Sequence, residues 1–107
     1  MHAIPEIPVD EVRDDLILLD VREADEWAAG RAPGAIHLAL SELAGATLDV
    51  EPGATVQVIC KAGGRSAQAT AYLRDQGIDA VNVVGGMLAW AASGRDVITD
   101  DGPGRVA

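Results

Sequence analysis

The sequence predicts an α/β domain with a mainly parallel five-stranded sheet flanked by helices on both faces. Apolar, strand-like runs alternate with short amphipathic stretches along most of the chain, the pattern of strands joined by crossover helices. Two of those runs, Leu16-Ile17-Leu18-Leu19 and Val81-Asn82-Val83-Val84, are almost continuously apolar, as strands covered on both sides must be. Aromatic residues make up only 3% of the chain and Phe is absent, so the core rests on Val, Ile, Leu and Ala, which suits helices packed closely onto a sheet.

In order, strands are expected at residues 4–7, 16–21, 35–38, 56–60 and 80–84, and helices at 9–14, 23–29, 41–46, 66–76 and 87–92. Asp20 and Glu23 form a D-x-x-E pattern, a candidate capping box for the second helix. Glu23, Asp25 and Glu26 then bring negative charge to its first turn, where the helix dipole favours it. Gly30 ends that helix, Pro33-Gly34 marks a turn, and Glu51-Pro52-Gly53 separates the third helix from the fourth strand. Gly77 stops the long helix, and Gly85-Gly86 reverses the chain into the last one. The polar, glycine-bearing tail, 100–107, is expected to fray.

Length and composition fit one domain spanning 1–107: 49% hydrophobic and 23% charged residues describe a globular chain. Eight basic against 17 acidic residues give a net charge of −9 with no basic run, which argues against nucleic acid or an anionic membrane as partner. An anion can bind only where local donors override that field. A single cysteine excludes an intramolecular disulfide and a multi-cysteine metal site. The start, Met1-His2-Ala3-Ile4-Pro5, lacks a basic segment followed by an apolar one, and no run is long enough to span a bilayer, so a cytoplasmic protein is expected.

That one cysteine, Cys60, ends an apolar strand and opens the run Cys60-Lys61-Ala62-Gly63-Gly64-Arg65-Ser66, which leads into the longest helix. Loop N–H groups and the unpaired donors of a helix N-terminus converge at such a junction. A nucleophilic cysteine must be a thiolate, and an unperturbed thiol near pKa ~8.5 is only a few per cent ionised at neutral pH. A helix terminus supplies about 0.3–1 kcal/mol toward ionisation. Inward N–H groups, Lys61 and Arg65 are the candidates for the remainder. Gly63 and Gly64 permit the positive φ that turns amides toward one point. Ser66 either caps the helix, contacts the sulfur, or does both.

Four ordered motifs resemble the single-domain rhodanese-like sulfurtransferases over nearly the whole chain. They are Leu18-Leu19-Asp20-Val21-Arg22-Glu23; Glu26-Trp27 with Gly30-Arg31-Ala32-Pro33-Gly34-Ala35; Cys60 through Ser66; and Gly85-Gly86-Met87-Leu88-Ala89-Trp90. One departure is Arg31, where the family usually has His. The resemblance implies a rhodanese-like fold with Cys60 as the catalytic residue and Lys61, Ala62, Gly63, Gly64, Arg65 and Ser66 binding substrate. It implies that Cys60 takes the sulfane sulfur of thiosulfate or a low-molecular-weight persulfide, carries it as a persulfide, and yields it to a thiol or to cyanide, with no metal and no organic cofactor. A sulfur relay to a protein partner is the alternative. The spacing from Cys60 to Arg65 is C-x4-R, whereas related phosphatases and arsenate reductases use the wider C-x5-R, and a non-catalytic module of the family commonly lacks the cysteine.

Other chemically tempting residues read more simply. Asp20 and Arg22 are expected to form an internal ion pair, Trp27 and Trp90 to pack at core or rim, and His2 and His37 to be bystanders.

Overall fold

The structure, a computed structural model, describes residues 3–107. Strands β1 (Glu6–Ile7), β2 (Ile17–Asp20), β3 (Ile36–His37), β4 (Thr55–Ile59) and β5 (Asp79–Val83) form one sheet, all parallel, in the order β1-β5-β4-β2-β3. Central β4 pairs Val56 with Ile17 and Ala80, and Val58 with Leu19 and Asn82. Helices α1 (Ala24–Ala29), α2 (Leu40–Leu43), α3 (Gly64–Asp75) and α4 (Gly86–Ala92) connect or follow the strands.

Period-two alternation divides the apolar side chains into two cores. Leu19, Val56, Val58 and Cys60 face one side, against Leu43 of α2 and Ala69 and Leu73 of α3. Leu18, Ile59 and Val83 face the other, against Met87 and Trp90 of α4 and against Val9 and Val12. The two-sided covering expected from the apolar runs is therefore present. Among the described residues no helix is long and apolar enough to cross a membrane.

Several elements differ from the sequence expectation. The helix placed at 9–14 is one 3₁₀ turn, Val9–Glu11. Buried Gln57 explains why it goes no further: its side chain accepts the Arg13 N–H at 2.7 Å and donates to the Arg13 carbonyl at 3.0 Å, taking the groups a longer helix would need. The capping box at α1 joins Glu23 and Glu26, not Asp20 and Glu23. Asp20 is unavailable because Arg22 Nε and Nη2 occupy its carboxylate at 2.7–3.0 Å, with both side chains fully buried. Helix α2 has only four residues.

The tail expected to fray is fastened instead. Strands β6 (Ile98–Thr99) and β7 (Gly102–Pro103) form an antiparallel hairpin, and Ile98 exchanges two 2.9 Å backbone hydrogen bonds with Arg31. Arg105 N–H then donates to the Ala29 carbonyl at 3.0 Å. The approach is tight enough that a Cβ on Gly30 would lie 2.3 Å from the Arg105 oxygen.

Candidate active site

Parallel strands deliver their carboxyl ends to one edge of the sheet, where crevices form in open α/β folds. Cys60 follows the end of β4 at that edge and is only 1% exposed, forming the floor of the loop rather than its rim. The loop closes over it. Gly63 N–H donates to Cys60 Sγ at 3.1 Å, and Ser66 Oγ lies 3.2 Å from the same sulfur.

Gly63 makes the closure possible. It precedes α3 with φ of +113°, a conformation that side chains with a Cβ rarely adopt, whereas Gly64 is already helical. No side chain caps α3; the Gly63 N–H in front of it and the Ser66 N–H of its first turn act on the sulfur instead. Ser66 therefore contacts the thiol from inside the first helical turn and is not the cap.

The loop carbonyls are held elsewhere. Met87 N–H donates to the Cys60 carbonyl at 2.8 Å and Leu88 N–H to the Lys61 carbonyl at 3.0 Å, both from the first turn of α4. Asn82, a polar residue flanked by valines in β5 and 2% exposed, donates to the Gly63 carbonyl at 3.3 Å. Ala67 N–H reaches that same carbonyl at 3.1 Å. With its acceptors anchored to α4, β5 and α3, the loop offers donors to the sulfur. Gly86 is indispensable to this contact, since a Cβ there would lie 2.3 Å from the Cys60 oxygen and 2.6 Å from the Lys61 oxygen.

Burial pushes the thiol toward its neutral form. The Ser66 hydroxyl and the N–H groups of Ser66, Gly63 and Ala62 push the other way and win, holding Cys60 below the ordinary thiol range. The leading groups that lower it are neutral dipoles, and the charge of Arg65 interacts favourably with the Cys60 thiolate as well. The cations expected to complete the stabilisation are arranged differently. Arg65 donates from Nη1 and Nη2 to the two oxygens of Glu26 at 2.6 and 2.9 Å, and half-buried Lys61 makes no ion pair among the described residues. Ala62 and Gly64 lie exposed on the outer surface of the loop.

A rigid floor supports α1 beside the loop. Arg22, besides binding Asp20, donates to the Glu26 and Gly30 carbonyls at 3.3 and 2.7 Å. Its own carbonyl accepts the Nε2–H of His37 at 2.7 Å, which fixes the imidazole tautomer. The Asp20–Arg22 pair is thus the structural support expected of it. Trp27 stacks on the His37 ring at 4.8 Å, and the Arg31 guanidinium lies over the Trp27 ring at 4.9 Å. Arg31 also pairs with Asp100 of the tail, so the residue that departs from the family pattern links α1 to the hairpin. His37 is a packing and hydrogen-bonding residue here; His2 lies outside the described residues.

Sequence reasoning missed three contributors: Glu26 as the partner of Arg65, Asn82 as a carbonyl anchor, and the α4 N–H donors. Only Asn82 carried a visible signal, a polar residue between Val81 and Val83.

Comparison with known proteins finds relatives in both sequence and fold. A family model described as "rhodanese-like domain" matches residues 9–93. A protein named sulfurtransferase from Allochromatium vinosum is 34% identical over 90 residues, covering 83% of this chain and 84% of the relative. The solved structure of a rhodanese-related protein from Thermoplasma volcanium superposes with a TM-score of 0.82 at 30% identity, covering 90% of this chain and 99% of that one. A rhodanese-like domain protein from Staphylococcus aureus gives a TM-score of 0.76 at 32% identity, with 81% and 91% covered.

Proposed function

This chain belongs to the rhodanese-like family, and from that premise we propose that it is a sulfurtransferase acting through a persulfide on Cys60. The observation that carries this reading is a sulfur atom with Gly63 N–H at 3.1 Å and Ser66 Oγ at 3.2 Å, in a setting that favours the thiolate. A thiolate attacks the outer sulfur of the donor, forming one S–S bond as another breaks. With thiosulfate, the Cys60 thiolate becomes a persulfide anion and sulfite leaves with two negative charges. With a low-molecular-weight persulfide, the departing group is the thiolate of the carrier. The acceptor, cyanide or a thiol, then takes the outer sulfur and regenerates the Cys60 thiolate.

Each loop residue has a role in this scheme. Donors from Ala62, Gly63 and Ser66 hold the terminal sulfur anion much as an oxyanion hole holds oxygen. Gly64 keeps the outer face of the loop open, since a Cβ there meets no atom within 4 Å. Lys61 and Arg65 are the cations nearest the cysteine in the chain, and Lys61, which has no ion pair among the described residues, is the one left to receive a charged donor. The short C-x4-R spacing favours sulfur over a tetrahedral phosphoryl or arsenate group.

The test is intact-mass analysis after exposure to thiosulfate or a small persulfide, followed by cyanide. A gain of one sulfur on Cys60, discharged as thiocyanate and lost in Cys60→Ser, is the expected result. Equal turnover by wild type and Cys60→Ser would overturn the reading. A stable sulfur adduct that only a protein thiol discharges would assign the chain to sulfur relay.

A further inference from the structure

Arg65 is the one guanidinium of the Cys60–Ser66 loop, yet a carboxylate already closes its Nη1–Nη2 edge. That carboxylate is firmly held. Glu26 is 16% exposed at its side chain, its Oε1 also accepts the Glu23 N–H at 3.1 Å, and the buried Arg22 grips its carbonyl. The Arg65 guanidinium keeps the Glu26 carboxyl at about 2, so it is negative at any physiological pH. Glu23 adds a second negative field at Arg65. Arg22 is fully engaged by Asp20, which leaves Lys61 as the loop cation without an ion pair among the described residues.

We propose that Glu26 sets the charge of the sulfur donor: by occupying Arg65, it disfavours dianionic donors such as thiosulfate and favours persulfides carrying at most one charge near the reacting sulfur. The inference rests on the sulfur-transfer reading above. A free guanidinium would offer an oxyanion two parallel N–H donors and a full positive charge, and a dianion gains twice what a monoanion gains from that charge. With the carboxylate in place, a dianion must compete for the same N–H groups and approach both Glu26 and the Cys60 thiolate. A persulfide meets a smaller penalty because its bulk can remain neutral. In both reactions charge balances: thiolate plus thiosulfate gives persulfide anion plus sulfite, and thiolate plus R–S–SH gives Cys60–S–SH plus RS⁻.

Glu26→Gln tests the inference because it removes the charge while retaining an oxygen for the Glu23 N–H. Glu26→Asp keeps the charge and serves as the conservative control. The rate of Cys60 sulfuration is measured with thiosulfate and with 2-mercaptoethanol persulfide, and the kcat/KM ratio of the two donors is compared. Glu26→Gln should raise the thiosulfate-to-persulfide ratio about tenfold, mainly through the KM for thiosulfate, and Glu26→Asp should remain close to wild type. If Glu26→Gln alters both donors equally, Glu26 is merely structural and the inference is overturned. A second readout does not need turnover: inorganic sulfate should shield Cys60 from iodoacetamide at about tenfold lower concentration in Glu26→Gln. Equal sulfate concentrations would reject the charge filter even if neither donor sulfurated Cys60, an outcome that would separately reject sulfur transfer.

Discussion

Two strand-to-helix junctions lie side by side at the carboxyl edge of the sheet, and both contain a glycine pair. The first runs from β4 through Cys60 into α3, and the second from β5 through Gly85 into α4. In each, a glycine of positive φ precedes the helix, +113° at Gly63 and +78° at Gly85, and no side chain caps it. They differ in what receives the helix donors. Those of α4 satisfy the Cys60 and Lys61 carbonyls, whereas the Gly63 N–H in front of α3 reaches sulfur. One junction acts as a structural clamp that leaves a donor of the other free for the sulfur. The setting of the thiol here depends on a neighbouring loop as much as on its own.

The strongest way to break that comparison is at the clamp. Gly86→Ala sets a methyl group against two backbone oxygens at a φ of +54° and should cost about 3 kcal/mol in a denaturant titration. It should also slow Cys60 alkylation, although no loop residue changes. Gly64→Ala, at an open helical position, should instead raise stability by about 0.5 kcal/mol. A Gly86→Ala protein as stable and as reactive as wild type would show that the clamp is irrelevant.

Ser66→Ala sharpens the other half. Loss of a hydrogen bond to a charged group is worth about 1.5–3 kcal/mol, so alkylation at pH 7 should fall about tenfold. Because the hydroxyl helps to hold the thiol pKa down, its removal must move the rate–pH profile toward higher pH. An unchanged profile would leave the backbone donors and Arg65 as the cause.

The smallest effect concerns acid stability. Glu26 is lowered from 4.5 to about 2 in the folded chain, so its contribution is complete above 4.5 and disappears as pH falls toward 2. The stability gap between wild type and Glu26→Gln should therefore narrow across that interval, as followed by thermal melts. A gap constant from pH 6 to pH 2 would contradict the ion pair's role.

The architecture was largely legible because its signals are local. Continuous apolar runs, glycines at helix ends and a thiol before Gly63-Gly64 each act within a few residues. The Asp20–Arg22 pair was legible for the same reason. Glu26 and Arg65 are separated by 39 positions, and nothing in either neighbourhood records the other. The α4 clamp is harder still to read, because main-chain donors have no side-chain signature. Gln57 shortened a predicted helix through contacts 44 residues away, and the tail's hairpin depends on distant Arg31 and Ala29.

The sheet order also has a temporal consequence. Central β4 draws its partners from β2 and β5, β1 must wait for β5, and the amides gripping the Cys60 carbonyl belong to residue 87. A ribosome releasing this chain from its amino end exports the cysteine well before the residues that give it its setting. Throughout that interval the nascent polypeptide lacks the amides that hold the thiol loop, and the setting of Cys60 is complete only after residues 87 and 88 have emerged.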